Sequence, residues 1–273
     1  MNILLSINWD PSPVLLELGP IAIRYYSLMF VIAFLLGIWV EKKLYKNDGV
    51  SEELVDSLFI YAAISILLGA RLGEVFFYSW DYYQDNLLEI LLPVKFNPFQ
   101  FTGFRGLASH GATIGMIVAM FLYRKKKLPQ KSMLWILDRV VLAIPIGGAL
   151  VRIGNLMNSE IIGKYTGTDY GFIFKRLGDT APRHPAQLYE AASYVALFFV
   201  LWFIYWKTNK RHKEGYLFGV FMVLLWTIRF FIEFFKEFQE QTREDWMLNT
   251  GQWLSIPMAL VGVYFVVRSL RKE

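Results

Sequence analysis

Three arginines stand inside apolar stretches of the sequence, where an ionisable side chain is costly and is usually functional. They are Arg71, Arg152 and Arg229. A guanidinium group presents its N–H donors in a fixed planar fork that suits phosphate oxygens. The structural alternative is an ion pair along one helix, because Glu74 follows Arg71 at i,i+3 and Glu233 follows Arg229 at i,i+4. Together the arginines predict an anion site, and a phospholipid headgroup is the anion expected at that depth.

Amides, glycines and a histidine accompany these arginines. Asn155 follows Arg152 at i,i+3, which places both side chains on one helical face. Asn158 follows Asn155 by three residues in the same segment. Nearby glycines allow either a small-residue packing seam or a backbone opening that presents these groups to a headgroup. His110 opens another glycine-bearing apolar segment. It is either a structural hydrogen-bonding group or a general base or headgroup contact.

Two other histidines carry less weight. His184 precedes Pro185 and is expected at a helix start, and His212 lies in a basic cluster where it is expected to be solvated. The chain has no cysteine, so disulfides, zinc-thiolate sites and a cysteine nucleophile of its own are excluded. We find no cluster of ligands at metal spacing, and we expect no metal and no cofactor.

The composition predicts the elements that position these residues. Hydrophobic residues make up 55% of the 273 residues and charged residues 19%, below the roughly 25% of a soluble domain. The mean hydropathy is +0.38. A membrane span needs about 20 apolar residues, and seven stretches qualify, so we predict an all-α integral membrane protein with seven transmembrane helices. The predicted spans are 21–40, 54–78, 107–123, 133–156, 186–206, 215–235 and 251–267.

Charge placement predicts the orientation. The net charge of +5 could indicate nucleic acid, but the basic residues form short clusters between apolar runs, as membrane topology produces. Four clusters share one side of the membrane, in loops and at the C-terminus: Lys42, Lys43 and Lys46; Arg124 to Lys127 with Lys131; Lys207 to Lys213; and Arg268 to Lys272. The positive-inside rule therefore predicts an exterior N-terminus and a cytoplasmic C-terminus. The exterior segments are 79–106, 157–185 and the acidic stretch 236–245, and we expect the first two to cap the outer side of a single polytopic domain.

Several ordered motifs then resemble the bacterial prolipoprotein diacylglyceryl transferase family over nearly the whole chain. The motifs are Gly19-Pro20 with Arg24-Tyr25-Tyr26-Ser27-Leu28-Met29; Ala70-Arg71-Leu72-Gly73; His110-Gly111 with Ile114-Gly115; Arg152-Ile153-Gly154-Asn155 with Asn158, Glu160 and Gly163; Arg183-His184-Pro185-Ala186-Gln187-Leu188-Tyr189-Glu190; Arg229 with Glu233; and Gly251-Gln252-Trp253-Leu254-Ser255-Ile256-Pro257-Met258. Two departures concern fine geometry. Ala112 stands where the family commonly has a second glycine, and Leu225 stands where it often has a tyrosine.

The resemblance implies a multi-pass enzyme of the bacterial inner membrane, with its active site toward the outer leaflet. Such an enzyme moves the diacylglyceryl group of phosphatidylglycerol to the lipobox cysteine of a prolipoprotein signal peptide, and it releases glycerol 1-phosphate. Its partners are those two substrates and membrane lipids, not nucleic acid. The resemblance implies essential headgroup binding by Arg152 and Arg229. It also implies importance for Tyr26, His110, Asn155, Glu160, Gly163 and Glu233.

Our mechanistic expectation assigns two roles to these residues. Arg152 and Arg229 stabilise the leaving phosphate, with Arg71, Tyr26, Asn155, Asn158 and Gly163 at the headgroup. The acceptor thiol needs a base, for which His110 is the first choice and Glu160 or Glu233 the second. The rival hypothesis is a transporter or binding protein for phospholipid or another anion. A retinal-type photoreceptor is disfavoured, because residues 252–267 contain no lysine for a Schiff base.

Overall fold

The computed structural model describes residues 6–19, 21–92, 94–96, 99–101, 108–237 and 248–271. Eight α-helices lie within these residues: α1 (Tyr25–Asn47), α2 (Glu53–Phe77), the four-residue α3 (Trp80–Tyr83), α4 (Ser109–Lys127), α5 (Met133–Asn158), α6 (Ala186–Lys207), α7 (Tyr216–Ile232) and α8 (Thr250–Arg271). Each predicted span corresponds to one of the seven longer helices. Pro20, Arg105 and the acidic positions 238–245 lie outside the described residues.

Short strands add to the helices that the sequence predicts. They are β1 (Ser6–Trp9), β2 (Val14–Leu18), β3 (Ile21–Arg24), β4 (Val94–Phe96), β5 (Phe99–Phe101) and β6 (Gly171–Phe174). They form three two-stranded sheets, β1 with β6 in parallel and the hairpins β2–β3 and β4–β5. The prediction that a span begins at residue 21 is therefore wrong. Residues 21–24 pair with β2, and α1 begins only at Tyr25.

The basic clusters lie partly in helices and not only in loops, which corrects another expectation. Lys42, Lys43 and Lys46 belong to the end of α1, Arg124 to Lys127 form the last turn of α4, and Arg268 and Arg271 lie in the last turn of α8. Cations at a helix C-terminus interact favourably with the unsatisfied carbonyl groups there. The helices therefore continue beyond the apolar stretches from which the spans were read.

In the described part of the chain, four helices are long and apolar enough to cross a membrane by length and composition, namely α2, α5, α6 and α8, and α7 is a shorter apolar helix. Within α2, only 17% of the most apolar 18-residue stretch is buried inside the protein, and the value for α8 is the same. Exposing so much apolar surface to water costs about 25 cal/mol per Å². Lipid removes that cost, so these surfaces support a membrane protein.

The chain divides into two compact units, residues 42–136 and residues 1–41 with 137–273. In the first of these, the central unit, α2 and α4 approach closely along glycines. A Cβ on Gly73 would lie 2.7 Å from the Cα of Gly111, so only small residues permit this packing. Arg71, on α2, donates hydrogen bonds to the carbonyl oxygens of Ile90 (2.8 Å) and Glu89 (2.7 Å).

The other unit holds most of α1 and α5, all of α6, α7 and α8, and a group of short extended segments. Asp138, near the start of α5, accepts the backbone N–H groups of Gly215 (2.7 Å) and Phe218 (2.8 Å), which satisfies donors at the start of α7. Beside β6 lie three extended segments, each joined to the next by a single β-bridge. The segment of Arg183 pairs with Phe172 of β6 and with Tyr165, and the segment of Tyr165 pairs through Gly163 with Lys236. We call β1, β6 and the segments 162–165, 182–184 and 235–237 the strand cap.

Candidate active site

Arg152 lies in the last two turns of α5 and binds partners on two elements. Its Nε is 2.8 Å from Oε2 of Glu190 on α6, and its Nη1 donates to Oδ1 of Asn155 at 3.3 Å. Arg152 and Asn155 thus share one helical face, as their spacing predicts.

Glu190 is the buried centre of the arrangement. Its side chain has 0% exposure, and its second oxygen, Oε1, is 2.8 Å from Nζ of Lys236. Lys236, itself 8% exposed, also lies 3.5 Å from Oε2 of Glu233. A carboxylate removed from water needs compensating charge, and each oxygen of Glu190 has a cationic partner at 2.8 Å. We call Arg152, Glu190, Arg229, Glu233 and Lys236 the charged cluster.

Arg229 does not form the ion pair with Glu233 that its spacing allows. Among the described residues the carboxylate of Glu233 pairs with Lys236, and Nε of Arg229 is buried without a hydrogen-bond partner. The Arg229 guanidinium lies 5.6 Å from the ring centroid of Trp226. The structural alternative for this pair is therefore wrong, and among the described residues no ion pair neutralises the charge of Arg229.

Glu233 comes directly after α7 and faces the first turn of α8. A Cβ on Gly251 would lie 2.9 Å from Cδ of Glu233, so this carboxylate packs closely against the start of α8. The N-terminus of a helix carries partial positive charge, which favours an acidic group beside it. The members of the charged cluster therefore come from the end of α5, the start of α6, the end of α7 and the segment that follows α7, and Glu233 packs against the start of α8.

Glu160 lies beside the charged cluster in the turn that follows α5. Its carboxylate accepts hydrogen bonds from Nδ2 of Asn155 (3.1 Å) and of Asn158 (3.2 Å), and its backbone carbonyl accepts one from Gln187 (2.6 Å). The side chain is exposed. Glu160 and the two asparagines thus form a polar group that remains accessible to a ligand.

The turn around Glu160 has a strained backbone. Ser159 and Ile161 both have positive φ values, 57° and 56°, in the left-handed region that a β-branched residue rarely adopts. Strain of this kind costs about 1–3 kcal/mol per residue and clusters at functional sites. The backbone conformation therefore supports a functional role for the segment.

Two other predicted site residues have packing roles in the same unit. Tyr26, in the first turn of α1, packs against Gly154, whose Cβ would lie 2.9 Å from Cδ2 of the tyrosine ring. Gly163 is buried in the strand cap, where a Cβ would collide with the carbonyl oxygens of His184 and Phe235. Their contact with a headgroup stays a prediction. Gly163 is required for backbone packing in any case.

His110 and Arg71 belong to the central unit. His110 is exposed in the first turn of α4. Arg71 is 6% exposed, with its guanidinium 4.8 Å from the ring centroid of Tyr83. Their participation at the charged cluster stays a prediction. The expectations for the other histidines are confirmed, because His184 directly precedes the α6 cap residue Pro185 and His212 is exposed.

Sequence reasoning missed two members of the charged cluster as site residues. Glu190 ends one of the recognised motifs, but it was not assigned a role at the site. Lys236 was assigned to an acidic exterior stretch. The sequence did contain a signal for Lys236 as a site residue. It is a cation three residues after Glu233, at the end of an apolar segment.

Long apolar helices with a buried charged cluster at their ends define the class of this molecule, a helical membrane protein with a polar site. The family model for prolipoprotein diacylglyceryl transferase matches residues 13–268. Among similar curated proteins, the phosphatidylglycerol–prolipoprotein diacylglyceryl transferase of Bacteroides fragilis is 45% identical over 269 residues, covering 97% of this chain and 96% of the relative. Those of Chloroherpeton thalassium (39% identical, 97% and 95% covered) and Tolumonas auensis (38%, 97% and 98%) carry the same name.

The chain belongs to the prolipoprotein diacylglyceryl transferase family, and it is a transferase.

Proposed function

We propose that the protein transfers the diacylglyceryl group of phosphatidylglycerol to the lipobox cysteine of prolipoproteins. The observation that carries this proposal is the charged cluster. It combines three cations, Arg152, Arg229 and Lys236, with two carboxylates, and Nε of Arg229 is buried without a hydrogen-bond partner among the described residues. Such a cluster retains one positive charge for an anionic ligand, and the relatives named above carry the corresponding substrates in their names.

The proposed topology places this cluster toward the outer leaflet. We assign the seven helices of 17 to 26 residues as seven membrane spans. The basic ends of α1, α4 and α8 favour the cytoplasmic side, which leaves the end of α5 and the start of α6 outside. The protein is then a single polytopic domain of the bacterial inner membrane, with segments 79–106 and 157–185 capping its outer side.

The proposed reaction forms one thioether bond and breaks one carbon–oxygen bond. The cysteine sulfur attacks the terminal glyceryl carbon of the diacylglyceryl group, and the bond from that carbon to the phosphate oxygen breaks. The electron pair leaves with the phosphate as glycerol 1-phosphate, and the thiol proton passes to a base. Arg152 and Arg229 stabilise the charge that develops on the phosphate, because fixed cations in a water-poor site act strongly there.

The remaining site residues orient these groups. Glu190 holds Arg152 and Lys236 by one carboxylate, so both cations are fixed before the substrate binds. Asn155, Asn158 and Glu160 form the accessible polar group beside them. His110 is the first candidate for the base, with Glu160 and Glu233 as alternatives, and Tyr26, Gly163 and Arg71 complete the proposed headgroup site.

The test uses purified protein in detergent with phosphatidylglycerol and a lipobox peptide, and it measures release of glycerol phosphate. We expect release with cysteine at the acceptor position, none with serine, and none from Arg152→Ala. Arg176→Gln is the matched control, because this exposed arginine makes one hydrogen bond, to the carbonyl of Met157. It should leave the rate unchanged.

The rival function is transport or binding of an anionic lipid. A transporter would use the same arginines without needing an acceptor thiol. Absence of release from folded protein beside an active control enzyme would refute the transferase proposal. Lipid movement across reconstituted vesicles would then be measured.

A further inference from the structure

Lys236 reaches the charged cluster from the strand cap and not from a helix. α7 ends at Ile232, and the segment 235–237 pairs with the segment 162–165. Two backbone hydrogen bonds hold the pairing, from Lys164 N–H to the Phe235 carbonyl (2.8 Å) and from Glu237 N–H to the Ile162 carbonyl (3.2 Å). The register of this short pairing therefore decides which side chain faces Glu190.

Neighbouring residues of the segment have opposite charges and different surroundings. Successive side chains of an extended segment point to opposite faces. Lys236 is 8% exposed and contacts Glu190, whereas Glu237 is 49% exposed and contacts Arg183. A slip of one residue would exchange the two faces. It would bring a carboxylate toward Glu190 and Glu233, in place of the cation that pairs with them.

Arg183 joins the two paired segments from the face opposite Glu190. Its Nη1 is 3.0 Å from Oε1 of Glu237 and donates to the carbonyl of Gly163 at 3.2 Å. This one nitrogen thus bridges both segments. Glu237 follows Lys236 along the chain, and Gly163 is the residue that pairs with Lys236. A correct register is required for both contacts.

The Arg183 guanidinium is itself rigidly held. Its Nε is 2.8 Å from Oδ2 of Asp179, and its Cζ lies 3.8 Å from the ring centroid of Tyr165. The Tyr165 hydroxyl donates to the other oxygen of Asp179 at 3.0 Å. Because these contacts hold Arg183 independently of Glu237, it can select one register of segment 235–237 at little entropic cost.

We propose that Arg183 is a positioning residue for the charged cluster: by binding Glu237 it fixes the register of segment 235–237 so that Lys236 faces Glu190. The effect of Arg183 on catalysis rests on the proposed function. The register itself does not, so the two are tested by separate measurements.

The register is tested by thiol labelling of the full-length protein in detergent. The chain has no cysteine, so Lys236→Cys supplies a single thiol at a buried position. A hydrophilic maleimide should label it slowly. Adding Arg183→Gln should accelerate labelling about tenfold, because hydrogen bonds to charged groups are lost, whereas adding Arg176→Gln should not. Equal rates with and without Arg183→Gln would overturn the proposal.

A second variant covers the case in which Arg183→Gln does not fold, which gel filtration would reveal. Glu237→Gln removes the ion pair with Arg183 but leaves the contacts of Arg183 to Asp179 and Gly163. It should also accelerate labelling at position 236. If it does not, Arg183 does not set the register through Glu237.

The catalytic consequence is tested by coupling to Lys236. Arg183→Gln and Glu237→Gln should each lower kcat/KM for phosphatidylglycerol about tenfold, and neither should lower it further in the Lys236→Met background. Losses that add to that of Lys236→Met would refute the role in positioning. Wild-type protein that releases no glycerol phosphate would instead refute the proposed function, and the labelling rates would still decide the register.

Discussion

Neutralising Glu190 tests whether the charged cluster is held by one buried carboxylate. Glu190→Gln keeps the shape of the side chain and removes the charge that pairs with Arg152 and Lys236, both at 2.8 Å. Two cations then remain close together in a region where Glu190 had 0% exposure. We expect a large loss of stability together with loss of transferase activity.

The size of the stability loss follows from burial. Removing one partner of a buried ion pair costs about 3–5 kcal/mol, because the remaining charge stays without compensation. This free-energy cost is not reduced for screening by solvent, because Lys236 is 8% exposed and Glu190 is fully buried. For a chain of this size, about 1 kcal/mol corresponds to a shift of about 2–4 °C in Tm. The expected fall in Tm is therefore at least about 6 °C.

The assay is thermal unfolding in detergent, with an exposed ion pair as the matched control. Lys42 and Asp56 also approach to 2.8 Å, but their side chains are 35% and 54% exposed. Exposed pairs contribute about 0–1 kcal/mol, so Asp56→Asn should lower Tm by no more than about 4 °C. The double variant Glu190→Gln with Lys236→Met should recover part of the loss. Equal shifts for Glu190→Gln and Asp56→Asn would refute the reasoning.

Three further predictions concern other sites. Gly163→Ala should destabilise the protein by about 1–3 kcal/mol, measured as a fall in Tm, because the new Cβ would lie 2.8 Å from the Phe235 carbonyl oxygen. Arg229→Lys should lower kcat/KM for phosphatidylglycerol at least about tenfold, because a point charge replaces a planar fork. The Tyr82 hydroxyl donates to Glu89 at 2.6 Å and holds the pKa of that carboxyl below its usual range. The stability that this lowered pKa contributes is fully present above about pH 4.3, the pKa of an unfolded glutamate, and it is lost as the pH falls through the pKa of folded Glu89. The Tm should therefore fall in acid, and it should fall less steeply in Glu89→Gln, which lacks this carboxyl.

Each of these predictions has a contrary outcome. Gly147→Ala is the control for Gly163→Ala, because its nearest contact would be an ordinary 3.8 Å, and equal effects would contradict the packing argument. Wild-type activity in Arg229→Lys would mean that charge alone suffices at that position. An identical acid dependence of Tm in wild type and Glu89→Gln would exclude Glu89 as a source of that dependence.

The long helices could be predicted because their signal is local. An apolar stretch of about 20 residues identifies a helix without knowledge of its neighbours, and the face shared by Arg152 and Asn155 follows from helical periodicity alone. The ends of the helices were predicted less accurately. The span predicted from residue 21 begins as β3, since pairing with β2 competes with the helix there, and α1 continues through basic residues that hydropathy excluded.

Pairing between distant segments was not predictable in this way. β1 pairs with β6, which joins Ser6 to Gly171, and Lys236 pairs with Gly163. Short strands of three to five residues carry little periodicity, and nothing within them specifies a partner far along the chain. The same reason explains why Lys236 was read as part of an exterior acidic stretch.

The sequence by itself determined that this is a helical membrane protein with arginines, amides and carboxylates at the ends of its spans, because hydropathy and helical spacing act within single segments. Only the tertiary structure decided which charges pair. Glu233 had the spacing to bind Arg229, yet it pairs with Lys236, and Glu190 joins Arg152 to Lys236 across three elements. The energy of an ion pair depends on distance and burial, and both are set when separate segments pack together.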